Sequence, residues 1–172
     1  IPHPNNTYII ADEYYAKMTA KQFLGRLYTE TGDYNKSEKV LLNLESEFLK
    51  DMQYNGCPYQ ALGVLYSNMG KKEISIENFK KAAETEYFRS FPKFEVALAC
   101  FDAGDYTCSQ EYLEQAIKQE NKTEYQELLG YVMIMKGNIA EATKLFFPLL
   151  YRTDAFNPNI GLGHIALVKK DY

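Results

Sequence analysis

The chain has 172 residues, 46% of them hydrophobic and 24% charged, with a formal net charge of −4 at pH 7. That balance belongs to an ordinary folded chain and excludes disordered and fibrous classes. Without a Lys/Arg block, it lacks the clustered cations that nucleic acid or an anionic membrane surface demands.

Residues 1–19 form the first predicted element, a leading helical or capping segment. Ile9-Ile10, Tyr14-Tyr15 and Met18 supply its apolar residues, and the same stretch could equally be a long start to the helix that follows. From Ala20 onward one pattern recurs. An apolar helix ends at a glycine (Gly32, Gly70, Gly104, Gly137), and a second helix follows at once. The glycines are spaced 38, 34 and 33 residues apart. The predicted units are 20–52, 56–87, 90–121 and 123–155, with a half unit at 157–172. A glycine in the left-handed conformation ends the first helix of each unit, and Asp33, Asp105 or Asn138 is placed to cap the second.

Seven residues before each turn glycine stands a small residue: Gly25, Gly63, Ala97 or Gly130. Five residues after it comes Ser37, Ser75, Ser109 or Ala142, and four further on Leu41, Phe79, Leu113 or Phe146. Small residues facing each other let two helices approach, and the large residue fills the gap beside them. The longer first interval comes from an insertion at 50–56, which predicts either a lengthened second helix or a bulged connection. Pro58, Pro92 and Pro158 fall near helix starts, where a missing N–H costs nothing. Thr123 and Gln126 have the spacing of a capping box. Pro148 should kink the last complete second helix near Lys144. Gly161-Leu162-Gly163 lacks the later Gly and the Lys-Ser/Thr of a phosphate loop, which leaves Gly163 in a helix-packing slot.

Little reactive chemistry is on offer. His3 and His164 stand at opposite ends of the chain, so neither a His-based metal site nor a catalytic triad or dyad assembles locally. No catalytic residue, metal or cofactor is expected. Cys57, Cys100 and Cys108 form no CxxC pair and read as buried free thiols, with a Cys100–Cys108 bridge across one turn as the alternative. Glu45, Glu47, Asp102 and Glu111 read as solvated surface, and the sequons at Asn5, Asn35 and Asn121 are short enough to arise by chance. Apolar runs such as 145–150 stop far short of the roughly 18 residues of a membrane span. The expectation is a soluble protein without membrane insertion. The opening Ile1-Pro2-His3-Pro4 carries no targeting pattern, and the cytoplasm is favoured among compartments.

Tyr59-x-x-Leu62-Gly63-x-x-Tyr66, followed by Gly70, Ser75, Phe79 and Ala82, resembles the tetratricopeptide repeat (TPR) pattern W-x₂-L-G-x₂-Y…A-x₃-F. The other units keep the pattern in part: Leu24-Gly25-x-x-Tyr28 in the first, Gly104, Ser109, Leu113 and Ala116 in the third, Leu129-Gly130, Ala142 and Phe146 in the fourth. In the first unit Lys21 takes the Trp slot. The resemblance implies an all-α fold, a right-handed α-solenoid of antiparallel helix hairpins. It further implies a concave groove, lined by the first helices, that receives a peptide or helix of a partner protein.

On that basis the groove of the first two units would present Gln22, Arg26, Thr29, Glu30, Gln60, Val64, Ser67 and Asn68. The later units would present Phe91, Phe94, Leu98, Phe101, Glu127, Tyr131, Ile134 and Met135, with His164 and Leu167 from the half unit. Phe91 is expected in the core; Phe101, Tyr131 and Met135 are expected in the open groove. The candidate partner-binding residues are Gln22, Arg26, Gln60, Asn68, Phe94, Leu98, Phe101, Tyr131, Met135 and His164. Repeats that clamp acidic chaperone tails use Lys and Asn where this chain has Gln22, Arg26, Ala61, Phe91 and Glu95, so that subtype is not expected. The leading reading is a non-enzymatic scaffold or adaptor. The alternatives are an internal segment of a larger solenoid in an assembly, for which the run 87–97 resembles pilus-assembly TPR lipoproteins, and self-association through the C-terminal end at Ile160, Ile165 and Val168.

Overall fold

A computed structural model describes residues 6–49, 58–85, 90–152, 155 and 158–169, with side chains from Glu13 onward. The described residues form helices α1 (Asn6–Glu30), α2 (Tyr34–Phe48), α3 (Pro58–Asn68), α4 (Lys72–Thr85), α5 (Ser90–Ala103), α6 (Tyr106–Gln119), α7 (Thr123–Met135), α8 (Ile139–Leu149) and α9 (Pro158–Lys169). The chain divides into a first unit, residues 1–86, and a second, residues 87–172. Each unit is a set of paired helices, α1–α2 and α3–α4 in one, α5–α6, α7–α8 and α9 in the other. Each has its own apolar core. In the first, Met18, Leu41, Leu44, Phe48, Leu62 and Leu65 pack together. In the second, Leu113, Tyr125, Val132, Phe146, Leu149 and Ile165 do so.

Every hairpin turns where the sequence predicts. Gly32, Gly70, Gly104 and Gly137 have φ between +73° and +83°, a region where a Cβ is penalised. Behind the turn the two helices close onto each other. A Cβ at Gly63 would lie 2.6 Å from the Phe79 ring, and one at Gly130 would lie 2.6 Å from Phe146. Gly25 meets Leu41 in the same way. The facing serines add a bond that the small-residue argument alone does not anticipate. Ser37 Oγ donates to the Gly25 carbonyl and Ser75 Oγ to the Gly63 carbonyl, each at 2.8 Å and fully buried. In the third hairpin Ala97 replaces the glycine, and the buried Ser109 hydroxyl has no hydrogen-bond partner among the described residues.

The predicted caps hold at one turn of three. Asp105 accepts from the Cys108 amide and caps α6. Asp33 instead pairs with Lys36 at 2.6 Å, and neither Asp33 nor Asn138 makes a side-chain cap bond. The capping box at Thr123 is also corrected: the cap position belongs to Lys122, Thr123 is already the first helical residue, and the Gln126 amide reaches back to Asn121. Gly163 does not fill a packing slot, for a Cβ built on it would meet nothing within 4 Å; Gly161 does, against Phe146. The free-thiol reading fails for Cys100 and Cys108, which form a disulfide with Cα atoms 5.9 Å apart. Cys57 lies outside the described residues.

α1 runs unbroken from Asn6 to Glu30, so no break separates a leading segment from the first repeat helix. The insertion at 50–56 falls outside the described residues; α2, with 15 residues against 14 in α4, is not appreciably lengthened. Pro148 lies in the last turn of α8, beyond which the backbone tightens into i→i−3 bonds from Leu150, Tyr151 and Arg152. Pro58 and Pro158 open α3 and α9, where their missing N–H is no loss. Among the described residues no helix is long and apolar enough to cross a membrane.

Candidate functional site

In the first unit the predicted groove residues are polar and only partly open. Arg26 and Asn68 are exposed, Gln22 and Gln60 half-buried, and Val64 adds an apolar spot at 39% exposure. Thr29 is not on the surface: it is buried, and its hydroxyl stands 2.7 Å from Ser37 Oγ, placed to donate to it while Ser37 donates to the Gly25 carbonyl. Lys21 shows how a cation serves in an aromatic slot. Its Nζ crosses to α2 and meets Glu47 at 2.6 Å and Asn43 at 2.9 Å. In α3 the same slot holds Tyr59, edge-on to Phe48 with Lys81 over its ring.

The second unit is different in kind. Ser90 opens α5 with its hydroxyl donating to Glu120 at 2.7 Å and bonded to the Tyr125 hydroxyl at 3.1 Å. That anchor turns Ser90, Pro92, Lys93, Val96 and Ala97 into the core. The residues left facing outward follow helical spacing i, i+4, i+7, i+11: Phe91, Glu95, Leu98 and Asp102, of which Phe91 is 43% and Leu98 37% exposed. Phe91 is therefore a correction to the core assignment, and the register of Ser90 is its cause. The same register on α7 gives Glu124, Leu128, Tyr131 and Met135, with Met135 53% exposed. On α9 His164, Ile160, Leu167 and Val168 are exposed.

Half-buried rings support this face from beneath. Phe94 stacks on Tyr125 at 4.7 Å, Phe101 meets Tyr106 edge-on, and Tyr131 lies between Phe146 and His164. Phe94, Phe101 and Tyr131 are thus part of the packing and only partly part of the open face. Glu127, assigned to the groove lining, is buried. Burial, reinforced by the Glu127 charge, pushes the Tyr131 phenol above its ordinary range.

Two charged residues of α5, Lys93 in the core and Glu95 half-buried on the outward stripe, are moved from their ordinary titration ranges. Lys93 is buried, which depresses its pKa. Glu95 is pushed the other way, first by desolvation and then by the charge of Glu124 on the neighbouring helix. Glu95, which the family resemblance sets at a groove position, falls between Phe91 and Leu98 on the α5 stripe. Among the described residues, no group of three or more His, Cys, Asp and Glu is placed to hold a metal ion.

Comparison with known proteins agrees with this architecture. The tetratricopeptide repeat family model matches residues 58–86. A search among curated proteins returns no match. Among solved structures, the nearly identical TPR-like repeats of a Podosopora anserina protein assigned as a kinesin light chain superpose with TM-score 0.71 at 16% identity, covering 91% of this chain and 87% of that one. A single-site variant of the same repeats superposes with TM-score 0.73 at the same identity and coverage. At that identity the likeness is one of fold.

Proposed function

We propose that this chain, which carries a tetratricopeptide repeat at 58–86 and the TPR-like fold over most of its length, is a non-enzymatic interaction module that captures a segment of another protein. The first-helix face of the second unit is where capture takes place. The supporting observation is the stripe of exposed apolar residues at Phe91, Leu98 and Met135, continued on α9 by Leu167 at 62% and Val168 at 57% exposure. Clustered apolar surface of this kind marks interaction sites, whereas scattered hydrophobes do not. Within the first unit by itself, Gln22, Arg26, Gln60 and Asn68 offer hydrogen-bonding groups on the first-helix side.

The test is capture of partners on the immobilised chain, identified by mass spectrometry and compared with a Leu98→Ser/Met135→Ser variant. Both side chains are more than a third exposed, so the variant retains its helicity. Loss of the captured partner with unchanged circular dichroism supports the reading; equal capture refutes it. A second reading, self-association at the C-terminal end, has the exposure of Ile160, Leu167 and Val168 in its favour and predicts a dimer by light scattering.

A further inference from the structure

We infer that the chain forms a two-fold dimer through the outward face of α1, which receives the α1 of a second copy running antiparallel. This interface lies wholly on the first unit and is separate from the groove of the second. Met18, Gly25 and Thr29 are buried and turn one side of α1 into the core. On the opposite side Ala16, Ala20, Phe23 and Leu27 recur at i, i+4, i+7 and i+11, which holds them within an arc of about 60°. All four are exposed, Phe23 by 70% and Leu27 by 43%. The following hairpin shows what covers such a face. Counted back from the turn glycines, Ala20, Phe23 and Leu27 of α1 correspond to Pro58, Ala61 and Leu65 of α3. Those three are buried, and Ala61 and Leu65 lie in the core that α3 shares with Leu41, Leu44 and Phe48 of α2. On α7 the same positions hold Tyr125 and Val132, fully buried, and Leu128, half-buried. The surface that a neighbouring helix covers on α3 is the one that sets a phenyl ring in solvent on α1.

The order of sizes along that face selects a second copy as the covering helix. A two-fold axis level with the Lys21–Gln22 peptide sets Ala20 opposite the partner's Phe23 and Ala16 opposite the partner's Leu27. Every small residue then meets a large one, the self-complementarity that an isologous interface requires. The same small-against-large rule closes Gly25 on Leu41 and Gly63 on Phe79 within the hairpins. Exposed Lys17 and Arg26 flank the seam on opposite sides, and an antiparallel pair keeps those two flanks apart. At each end the axis brings Glu13 opposite the partner's Glu30, and their like charge limits the affinity. The seam is about 16 Å long, too short to bury the area of a standard interface, so the dimer dissociates on dilution.

Sedimentation velocity of the full chain from about 5 to 500 µM tests this, and a monomer–dimer equilibrium without larger species is expected. Phe23→Ala should weaken the dimer about tenfold or more with unchanged circular dichroism, because a ring 70% exposed adds little to the fold. Ala20→Phe is the discriminating variant. An unstructured apolar patch would gain area from it and associate more tightly, whereas the paired seam loses the space for the partner's Phe23 and weakens about tenfold. Ala20→Phe/Phe23→Ala exchanges the two sizes and should bring the affinity back to within about threefold of the unaltered chain. Glu30→Gln should tighten the dimer severalfold. A monomer at all concentrations, growth beyond a dimer, or tighter association of Ala20→Phe overturns the inference. A dimer that survives Phe23→Ala but is lost in Leu167→Ser/Val168→Ser overturns it too, and assigns the contact to the C-terminal end.

Discussion

Ser75 and Ser109 occupy the same place in successive hairpins, yet truncating them should move stability in opposite directions. Ser75 is 1% exposed and donates to the Gly63 carbonyl at 2.8 Å. Replacing it by Ala removes a buried hydrogen bond worth about 1 kcal/mol net. Ser109 is equally buried but its hydroxyl has no hydrogen-bond partner among the described residues, which costs about 1–3 kcal/mol of desolvation. Ser109→Ala removes that cost and should stabilise its hairpin by about 1 kcal/mol. Ala is the better helix former by a few tenths of a kcal/mol, but this applies to both sites and cancels in the comparison. The expected gap between the two variants is therefore about 2 kcal/mol, close to thirtyfold in an opening equilibrium. The two serines lie in different units, so the appropriate assay is amide hydrogen exchange read separately on α3–α4 and α5–α6. Ser37→Ala should behave as Ser75→Ala does. If Ser109→Ala speeds exchange in α5–α6 as much as Ser75→Ala speeds it in α3–α4, the distinction between paired and unpaired hydroxyls is refuted.

A methyl at Gly63 has no room beside Phe79, so Gly63→Ala should lower stability by roughly 2 kcal/mol or more, whereas Gly163→Ala, with nothing nearby, should raise it by up to about 1 kcal/mol; urea unfolding of both variants checks the contrast. The Cys100–Cys108 disulfide closes a separation of 8 residues, so Cys100→Ser/Cys108→Ser should destabilise the second unit by up to about 2.5 kcal/mol, and thiol counts in denaturant should rise from one to three on reduction. Burial and the bond to Glu38 at 3.0 Å raise the Tyr66 phenol to about 12. The folded chain therefore keeps this proton where the unfolded chain releases it, and stability that is complete below about pH 10 should fall as pH rises toward 12. Ultraviolet titration should show a late-ionising phase, to which Tyr131 also contributes, whose amplitude falls by one tyrosine in Tyr66→Phe; no late phase, or one of unchanged amplitude in the variant, contradicts this.

What the sequence disclosed and what it concealed divide along a physical line. The turn glycines and the small-to-large packing at Gly63–Phe79 and Gly130–Phe146 were legible because each depends on one residue's steric limits, which travel with the residue. The all-α repeat fold followed from their period. Choices between local partners were not legible. Asp33 could cap α2 or pair with Lys36, and the ion pair won; Gln126 could close a box with Thr123 or reach Asn121, and did the latter. Phe91 was misassigned because its direction is set one residue earlier, by the hydroxyl of Ser90 bonding to Glu120 and Tyr125 thirty and more positions away. The resemblance set Glu95 at a groove position, but its half-burial between Phe91 and Leu98 follows only once that register is fixed. Gly161 and Gly163 are equivalent in composition, and only the position of Phe146 decides which of them is packed.

The central claim is that α5, α7 and α9 present the working surface of the second unit. Hydrogen–deuterium exchange of the chain with and without its captured partner tests it most directly. New protection is expected on the peptides spanning 90–103, 123–135 and 158–169, with α6 and α8 unchanged. Protection confined to α6 and α8, or spread evenly over both sets of helices, would contradict it.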